Sequence, residues 1–310
     1  MIRCTKLQFP DYKIHYLTKA QFAPVLIENQ YIDKIYTIKN NISEVISELK
    51  AEKYDVVIDL HKNFRSLGVR LQLGTKSYSF PKLNFEKWLL VHCKINRMPD
   101  VHIVDRYFEA VKNLGVKNDY LGLDFFIPEK DKIDLASLPS GFQDGYTGLV
   151  IGGKHKTKQL PVEKTIELCR KLHYPVIILG GKEDRDEAEK IVTASGIVTF
   201  NACGLYNLNQ SASLVQQSDV VITNDTGLMH IAAAFHKKII SIWGNTVPEL
   251  GMYPYLPKEP EQYSIFEVKN LPCRPCSKIG FTSCPKKHFR CMMDQDTSEI
   301  AKQAKRFLGE

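Results

Sequence analysis

The sequence predicts an α/β protein of two Rossmann-like domains that face each other across a cleft. Three observations favour this fold class. Short apolar runs alternate with helical stretches along most of the 310 residues, which is typical of parallel sheets covered by helices. The alternation occurs in two blocks separated by residues 129–146, a stretch rich in Pro, Gly and charge that predicts a linker. The hydrophobic content of 44% and charged content of 25% are ordinary for a globular chain.

The first block, residues 1–128, contains four short runs that predict strands. These strands cover residues 13–18, 35–38, 55–60 and 77–80. Apolar residues at 42, 45, 46 and 49 have helical spacing and predict a helix over 42–53. A second amphipathic helix is predicted over 101–114, with Gly115 as its C-cap.

The second block, residues 147–310, repeats the pattern more regularly. Strands are predicted to begin at 148 and 176, each followed by a Gly-Gly pair, and to cover 197–200, 219–223 and 239–243. The run at 239–243 is the last clear strand. Helices are predicted over 162–172, 184–195 and 209–217, and an alanine-rich helix follows Thr226. A cysteine-rich segment and a C-terminal helix complete the block.

Hydropathy and the cysteine content indicate the cellular compartment of the chain. It has no apolar run of 18 residues, and residues 1–10 lack the apolar core of a signal peptide, so no transmembrane or secreted form is predicted. We therefore expect a cytoplasmic protein whose eight cysteines are thiols or metal ligands rather than disulfides.

One segment carries the whole net charge of +7. Residues 60–98 contain eight basic residues against a single acid, Glu86. The basic residues are Lys62, Arg65, Arg70, Lys76, Lys82, Lys87, Lys94 and Arg97. Such a field attracts nucleic acid, phosphorylated lipid or a polyanionic glycan, or it is a merely solvated surface.

Three predicted strands of the second block end in polar, glycine-bearing loops. The loops are 152–158 with Lys154, Lys156 and Lys158, 180–184 with Glu183 and Asp184, and 224–227. Ligands of open α/β sheets bind at the carboxyl ends of the strands, so these loops predict a ligand site. Tight turns also require glycine, and this is the alternative explanation for the Gly-Gly pairs.

The start of the alanine-rich helix predicts an anion site. We expect the Asp225 carboxylate to cap the first turn, so that the N–H groups of residues 226–228 present the positive end of the helix dipole to a diphosphate. His230 lies four residues after Thr226, on the same helix face, where it can donate to the same phosphate. The alternative is that Asp225 only caps and His230 is a core histidine.

At these residues the sequence resembles glycosyltransferase family 9, the lipopolysaccharide heptosyltransferases. The stretch SDVVITNDTGLMHIAAA at 218–234, with IWGNTVP at 242–248 and GMYP at 251–254, is similar to the donor site of that family. The resemblance runs over nearly the whole chain. Further matches are FPDYKIHYLT at 9–18, YDVVIDLHKNFRS at 54–66, KQLP at 158–161 and GGKED at 180–184.

The resemblance implies a GT-B fold and an inverting, metal-independent enzyme without a cofactor. The implied reaction moves heptose from ADP-heptose, or a related nucleotide sugar, to the phosphorylated lipid A–core acceptor of lipopolysaccharide. The donor diphosphate and nucleotide site is expected to comprise Gly153, Lys158, Glu183, Asp225, Thr226, Gly227, Leu228 and His230. In this implied site Lys158 neutralises charge on the departing diphosphate, and Glu183, or Asp184 beside it, binds the ribose or sugar.

The acceptor gives the basic segment a candidate partner. Lys62, Arg65 and Arg70 are the expected acceptor-binding residues. Phe85 and residues 88–91, set among lysines, resemble a surface that dips into a bilayer interface, which predicts peripheral contact with the inner membrane. An ordinary amphipathic core helix is the alternative.

The N-terminus departs from the family pattern. Residues 1–10 resemble the end of a helix that, in the family, follows a first strand and a Gly-Asp-type loop carrying the proposed general base. No residue inherits that role by motif, and Asp59 is the candidate substitute. The strands at 13–18 and 55–60 are expected to have unpaired edges. A start site assigned too far downstream is the favoured explanation; a truncated inactive product and a rearranged sheet are the others.

The cysteine-rich segment leaves three interpretations open. Cys273, Cys276, Cys284 and Cys291 have the spacing C-x2-C-x7-C-x6-C. They can hold a structural zinc ion, remain free buried thiols, or act in redox or disulfide chemistry. The implied reaction requires no metal, and no metal is assigned to the site.

Three other functions compete with the transferase. The first is a catalytically inactive sugar-nucleotide or lipid-A-binding relative. The second is an epimerase of the same fold, disfavoured by the Asp-Thr-Gly-x-x-His motif. The third is a nucleic-acid binder, which lacks any recognised module, so no nucleic-acid partner is expected.

Overall fold

A computed structural model describes residues 1–309, which divide into two compact units. Unit 1 comprises residues 1–84 and 100–120, and unit 2 comprises residues 85–99 and the chain from Leu121 onward. The predicted boundary at residue 128 differs from this division. Residues 85–99 belong with unit 2 because Leu90 packs against Val247 and Leu250 there. Residues 121–128 do so too, since the ring of Phe125 meets that of Phe235.

Unit 1 contains short helices and four strands. The four strands lie where the sequence predicted them. The helices are α1 (Ile2–Gln8), α2 (Ile46–Ala51), α3 (Phe64–Leu73) and α5 (Ile103–Phe108), and the strands are β1 (His15–Lys19), β2 (Lys34–Ile38), β3 (Val57–Asp59) and β4 (Ser77–Ser79). Helix α4 (Asn84–Trp88) continues as a π-helical turn over Leu89–Cys93 and leads the chain into unit 2.

The strands of unit 1 form two separate parallel pairs. β1 pairs with β2, and β3 pairs with β4. Within residues 1–309, β1 and β3 thus have one paired neighbour each, in agreement with the expectation of unpaired edges. The unit therefore buries its strands incompletely, and every residue of β1 is only half-buried.

Both predicted helices of unit 1 are shorter than expected. The stretch 42–53 consists of a 3-10 turn at Ile42–Glu44 and then α2, because Val45 leaves helical geometry with φ −130°. The stretch 101–114 consists of α5 and a 3-10 turn at Lys112–Leu114, closed by Gly115 with φ 78°. The predicted left-handed C-cap at Gly115 is confirmed.

Unit 2 is built on one sheet of six parallel strands. Its strands are β5 (Thr147–Val150), β6 (Val176–Leu179), β7 (Thr199–Asn201), β8 (Val220–Asn224), β9 (Lys238–Trp243) and β10 (Tyr263–Glu267). Its helices are α6 (Val162–Leu172), α7 (Arg185–Ser195), α8 (Leu208–Gln217), α9 (Gly227–Ala234), α10 (Arg290–Met293) and α11 (Thr297–Leu308). None of the helices in residues 1–309 is both long and apolar enough to cross a bilayer.

The strand order in this sheet is β10-β9-β8-β5-β6-β7. All residues of β5, β6 and β8 are buried, as expected for central parallel strands with helices on both faces. One face packs against α6, α7 and α11, and the other against α8 and α9. The chain leaves β5 in one direction for β6 and later returns to its other side at β8. This reversal creates a topological switch point, where ligands of such sheets bind.

One expectation for this unit was wrong. The strand at 239–243 is not the last, because β10 adds to the sheet edge beside β9. As an edge strand it is only half-buried, so its hydrophobic pattern is weak. Residues 129–146, predicted as a linker, are packed into unit 2. Phe142 and Tyr146 are buried in the core, and the Asp131 carboxylate accepts hydrogen bonds from the side-chain amides of Asn207 and Asn209.

Candidate functional site

An ion pair at the switch point joins two of the predicted donor residues. Lys158 Nζ lies 2.5 Å from Asp225 Oδ2, and Thr246 Oγ1 donates to the same oxygen at 3.0 Å. Asp225 and Thr246 meet because they follow β8 and β9, which are neighbours in register. The Lys158 and Asp225 side chains are 16% and 11% exposed, so the pair is largely shielded but reachable from solvent.

The predicted capping role of Asp225 is wrong. Thr226 is the N-cap of α9, and no side chain makes a capping hydrogen bond there. The Asp225 carboxylate instead faces Lys158 and Thr246, because a bond to an ammonium group is stronger than one to a neutral backbone N–H. The first-turn N–H groups of α9 are left without a side-chain acceptor. A Cβ placed on Gly227 would meet nothing within 4 Å, so space is open at this helix start.

His230 lies in the first turns of α9, close to the same ion pair. Burial lowers the pKa of its imidazole, Asp225 opposes that shift, and Lys158 adds to it. The ring is therefore neutral at pH 7 and keeps one N–H to donate. Leu228, also predicted at this site, packs against the sheet core and anchors the helix start.

Gln159 ties the loops after β5 and β6 together. Its side-chain amide donates to Gly153 O at 2.9 Å and to Asp184 Oδ1 at 3.3 Å. Asp184 Oδ2 in turn accepts from Gly181 N at 2.9 Å. Burial raises the pKa of Asp184, since its carboxyl is enclosed between these loops. Of the two neighbouring acids, only Glu183 is exposed to a ligand.

The glycine pairs serve different purposes. A Cβ on Gly152 would lie 2.6 Å from Asp184 Oδ2, so this glycine makes room for a protein side chain and not for a ligand. Gly153 faces the helix start instead, since its Cβ would lie 3.5 Å from Thr226 Cγ2. The loops after β5 and β8 are thus in contact at the switch point.

Asp59 and Arg70 of unit 1 are engaged in local structure. Asp59 Oδ1 accepts the backbone N–H groups of His61 and Lys62 at 2.9 and 2.7 Å, which fixes the turn after β3. Arg70 Nη1 lies 3.6 Å from Asp59 Oδ2, and Arg70 Nε donates to Ser77 Oγ. Burial alone would raise the pKa of Asp59, but these hydrogen bonds and Arg70 outweigh it and lower the pKa.

Lys62 and Arg65 remain exposed at the start of α3. Other members of the basic segment are not merely solvated. Lys82 Nζ donates to the carbonyl oxygens of His61 and Lys62, and Lys94 Nζ donates to Pro275 O at 2.6 Å. Some lysines of the basic segment therefore stabilise loops within their own unit by hydrogen bonds to backbone carbonyl oxygens.

All eight cysteines are free thiols. Burial raises the pKa of Cys276 to about 11 and that of Cys291 to about 12, so both are protonated at neutral pH. Cys273 Sγ lies 3.7 Å from His288 Nε2. Within residues 1–309, no three His, Cys, Asp or Glu side chains are arranged as ligands of a metal ion.

Sequence reasoning assigned no role to Thr246 or Gln159, which hold Asp225 and Asp184 in place. Both lie in stretches quoted for the family resemblance, Trp-Gly-Asn-Thr and Lys-Gln-Leu-Pro. Thr246 lies in the loop after the predicted strand at 239–243, and that position is the signal by which it could have been found. Gln159 lies nine residues after β5 and carried no such signal.

Comparisons with known proteins identify the family of this chain. The model of glycosyltransferase family 9 (heptosyltransferase) matches residues 42–282. Lipooligosaccharide heptosyltransferase 2 of Campylobacter jejuni is 28% identical over 286 residues, which cover 86% of this chain and 83% of that protein. The protein of the same name from Haemophilus ducreyi is 32% identical over 272 residues, 78% of each chain. The structure of Escherichia coli ADP-heptose lps heptosyltransferase II matches with a TM-score of 0.73 at 19% identity, covering 99% of this chain and 92% of that one.

The structural match confirms the predicted α/β fold of the GT-B type. The family model covers more than half of the chain, and the Haemophilus ducreyi relative shares enough identity over enough length to exclude a chance likeness. The chain therefore belongs to glycosyltransferase family 9, the heptosyltransferase family, and is a glycosyltransferase.

Proposed function

We propose that this protein transfers heptose from ADP-heptose to the phosphorylated lipid A–core acceptor of lipopolysaccharide, with inversion and without a metal ion. The observation that carries the proposal is the Lys158–Asp225–Thr246 cluster beside the uncapped start of α9. The names of the relatives, lipooligosaccharide and ADP-heptose lps heptosyltransferases, support the choice of sugar and acceptor.

The donor diphosphate would lie at the start of α9. Its N–H groups and the helix dipole favour an anion there, and the open space at Gly227 admits one. Lys158 has three N–H donors and gives one to Asp225, so two remain for phosphate oxygens. His230 adds a neutral N–H donor on the same face. Glu183 would bind the ribose or the sugar.

Transfer requires the anomeric C–O bond to break as the acceptor hydroxyl attacks. Negative charge then grows on the leaving ADP, and Lys158 would stabilise it without a metal ion. Holding Lys158 against Asp225 keeps the ammonium in position before the substrate arrives. Preorganised charge of this kind is effective because little reorganisation is needed during the reaction.

Unit 1 would bind the acceptor. Lys62 and Arg65 are exposed on the turn and helix after β3, and both residue types bind phosphate well. Arg70 is held by Asp59 and Ser77, so we assign it to supporting the turn as well as to the acceptor.

The proton of the acceptor hydroxyl needs a base, and Asp59 is poorly suited to that role. Its pKa is lowered and one of its oxygens holds the turn. This observation favours a second candidate function, in which the protein binds the nucleotide sugar but does not transfer the sugar.

The test is a transfer assay with the full chain, ADP-heptose and lipid A–core acceptor that lacks heptose, followed by mass spectrometry of the lipid. We expect one heptose added per ADP released, at a rate unchanged by EDTA. Binding of ADP-heptose without transfer would favour the second function. Failure to bind ADP-heptose would contradict both.

We further propose peripheral contact with the cytoplasmic face of the inner membrane. The rings of Phe85, Trp88 and His92 stack along one face of α4 and the π-helical turn, and Phe85 and Trp88 are 63% and 48% exposed. The opposite face is fixed by Leu90, which packs against Val247 and Leu250. Stacked aromatic rings beside basic residues suit an anionic bilayer interface.

Tryptophan fluorescence tests this contact. Trp243 is buried, so a blue shift upon addition of phosphatidylglycerol vesicles would report on Trp88. We expect the shift to be larger with anionic than with phosphatidylcholine vesicles and to vanish in Trp88→Phe. An unchanged spectrum with both vesicle types would contradict the membrane contact.

A further inference from the structure

Arg274, in the cysteine-rich segment, holds the loop that follows β9. Its Nε donates to Gly244 O at 2.5 Å, and its Nη2 donates to Thr246 O at 2.9 Å. Between them, Asn245 O accepts the backbone N–H of Cys276 at 3.1 Å. Three successive carbonyl oxygens of this loop are thus bound by the turn of four residues Cys273-Arg-Pro-Cys276.

All three nitrogens of the guanidinium donate hydrogen bonds, and the group is largely buried. Nη1 donates to Val268 O at 2.7 Å, Nη2 also lies 2.9 Å from Glu267 Oε2, and the side chain is 6% exposed. The planar fork of an arginine can meet several converging acceptors at once, whereas the single ammonium of a lysine cannot. This geometry makes Arg274 specific for its position rather than a general surface charge.

The loop held in this way carries Thr246, and Thr246 holds Asp225. Its hydroxyl donates to Asp225 Oδ2 at 3.0 Å, the oxygen that also binds Lys158. A chain of contacts therefore runs from Arg274 through the backbone of Thr246 to the ion pair at the start of α9. Fixing Thr246 fixes the direction in which Asp225 holds the Lys158 ammonium.

The same segment holds the second loop of the site. Thr157 N and Thr157 Oγ1 both donate to Phe281 O, at 3.2 and 3.1 Å, and Phe281 N donates back to Thr157 Oγ1 at 2.8 Å. Thr157 directly precedes Lys158. The cysteine-rich segment thus supports the loops on both sides of the Lys158–Asp225 contact.

We propose that Arg274 is a positioning residue for the donor diphosphate and that it acts through Thr246. The inference rests on the proposed donor site, because it assigns Arg274 a role in presenting Lys158 to that ligand. It gives the cysteine-rich segment a function in nucleotide-sugar binding that requires neither a metal ion nor a disulfide.

Calorimetric titration of the full chain with ADP and with AMP tests the proposal. We expect Arg274→Lys and Thr246→Val each to weaken ADP binding about tenfold, the effect of one lost hydrogen bond to a charged group. AMP lacks the second phosphate, so its affinity should stay within about twofold of the unmodified chain. The double variant should be no weaker than either single one, because both changes break the same chain of contacts.

The matched control is Arg290→Gln. Arg290 lies in the same segment, but its Nε pairs with Asp294 on the surface, so ADP affinity should not change. Thermal unfolding is measured for every variant. If Arg274→Lys does not fold, Thr246→Val and Glu267→Gln carry the same test.

The outcomes distinguish failure of the proposed donor site from failure of the proposed role of Arg274. If Lys158→Ala loses ADP binding while Arg274→Lys keeps it, the proposed donor site stands and the role of Arg274 is wrong. If Arg274→Lys weakens ADP and AMP equally, or adds its effect to that of Thr246→Val, Arg274 is merely structural. If the unmodified chain does not bind ADP, the donor site and this inference both fail.

Discussion

The two units of the chain fix their strand-end loops by different means. In unit 2 the central strands are buried on both faces, and the side chains of Lys158 and Gln159 reach from the loop after β5 to Asp225 after β8 and to Asp184 after β6. In unit 1 each strand has one partner at most among residues 1–309, and the turn after β3 is fixed by Asp59 and Lys82 acting locally.

This difference indicates how the two proposed binding tasks are divided. A rigid sheet holds a small anion site to within fractions of an ångström, which charge stabilisation requires. Unit 1 instead presents apolar side chains on α3, where Phe64 and Leu71 are 92% and 73% exposed, beside the basic residues. Such a surface suits a large amphipathic acceptor better than a small, sharply defined ligand.

The largest effect should come from removing the charge at the rigid site. We expect Lys158→Ala to lower the transfer rate about 100- to 1000-fold, because the leaving diphosphate loses its nearest cation. Steady-state kinetics with varied ADP-heptose measure the change. Lys156→Ala is the control, since Lys156 is exposed and its ammonium pairs with Glu187 rather than with Asp225. Equal losses in both variants would mean that general positive charge, not a fixed ammonium, matters.

A second prediction compares the same substitution, isoleucine to alanine, in one strand of each unit. Ile178→Ala in β6 should cost about 4 kcal/mol of the free energy of unfolding, because a fully buried side chain leaves a cavity. Ile58→Ala in β3 should cost about 1.5 kcal/mol, since Ile58 is half-buried. Urea denaturation followed by circular dichroism measures both. Similar costs would remove the contrast between the units.

The smallest effect concerns pH. Hydrogen bonds from Lys34 and Tyr36 lower the pKa of Glu52 in unit 1 to about 2, below its ordinary value of 4.5. The stabilisation by this carboxylate is therefore complete above pH 4.5 and is lost as the pH falls towards 2. We expect Glu52→Gln to flatten the fall of the melting temperature over this range.

Glu167 offers the matching test in unit 2. Bonds from Lys164, Lys171 and Thr297 lower its pKa to about 2 as well. If the units melt in separate transitions, Glu52→Gln should alter the pH dependence of one and Glu167→Gln that of the other. A single transition affected equally by both variants would show that the units unfold together.

How well a strand could be predicted from the sequence depends on how deeply it is buried. Buried parallel strands such as β6 and β8 are continuous Val and Ile runs, so their positions were predicted to within a residue or two. The half-buried edge strand β10 lacks such a run and was missed. The broken helix at 42–53 depends on the backbone at Val45, which apolar spacing does not encode.

At the candidate site, the structure brings together Lys158 and Asp225, both named from the sequence, through contacts that the sequence did not predict. Asp225 fits the local rule for a helix cap, yet its partners are Lys158, 67 residues earlier, and Thr246, 21 residues later. Such pairings arise only when the sheet aligns the ends of β5, β8 and β9. The same holds for Asp184, whose burial against Gly152 follows from the neighbouring positions of β5 and β6.

The central claim is that the start of α9 and Lys158 together bind the donor diphosphate. A crystal structure of the full chain soaked with ADP tests it most directly. We expect the second phosphate within hydrogen-bonding distance, roughly 3 Å, of Lys158 Nζ and of a backbone N–H among residues 226–228. A diphosphate bound instead at Lys62 and Arg65, or ADP bound with its phosphates away from Lys158, would contradict it.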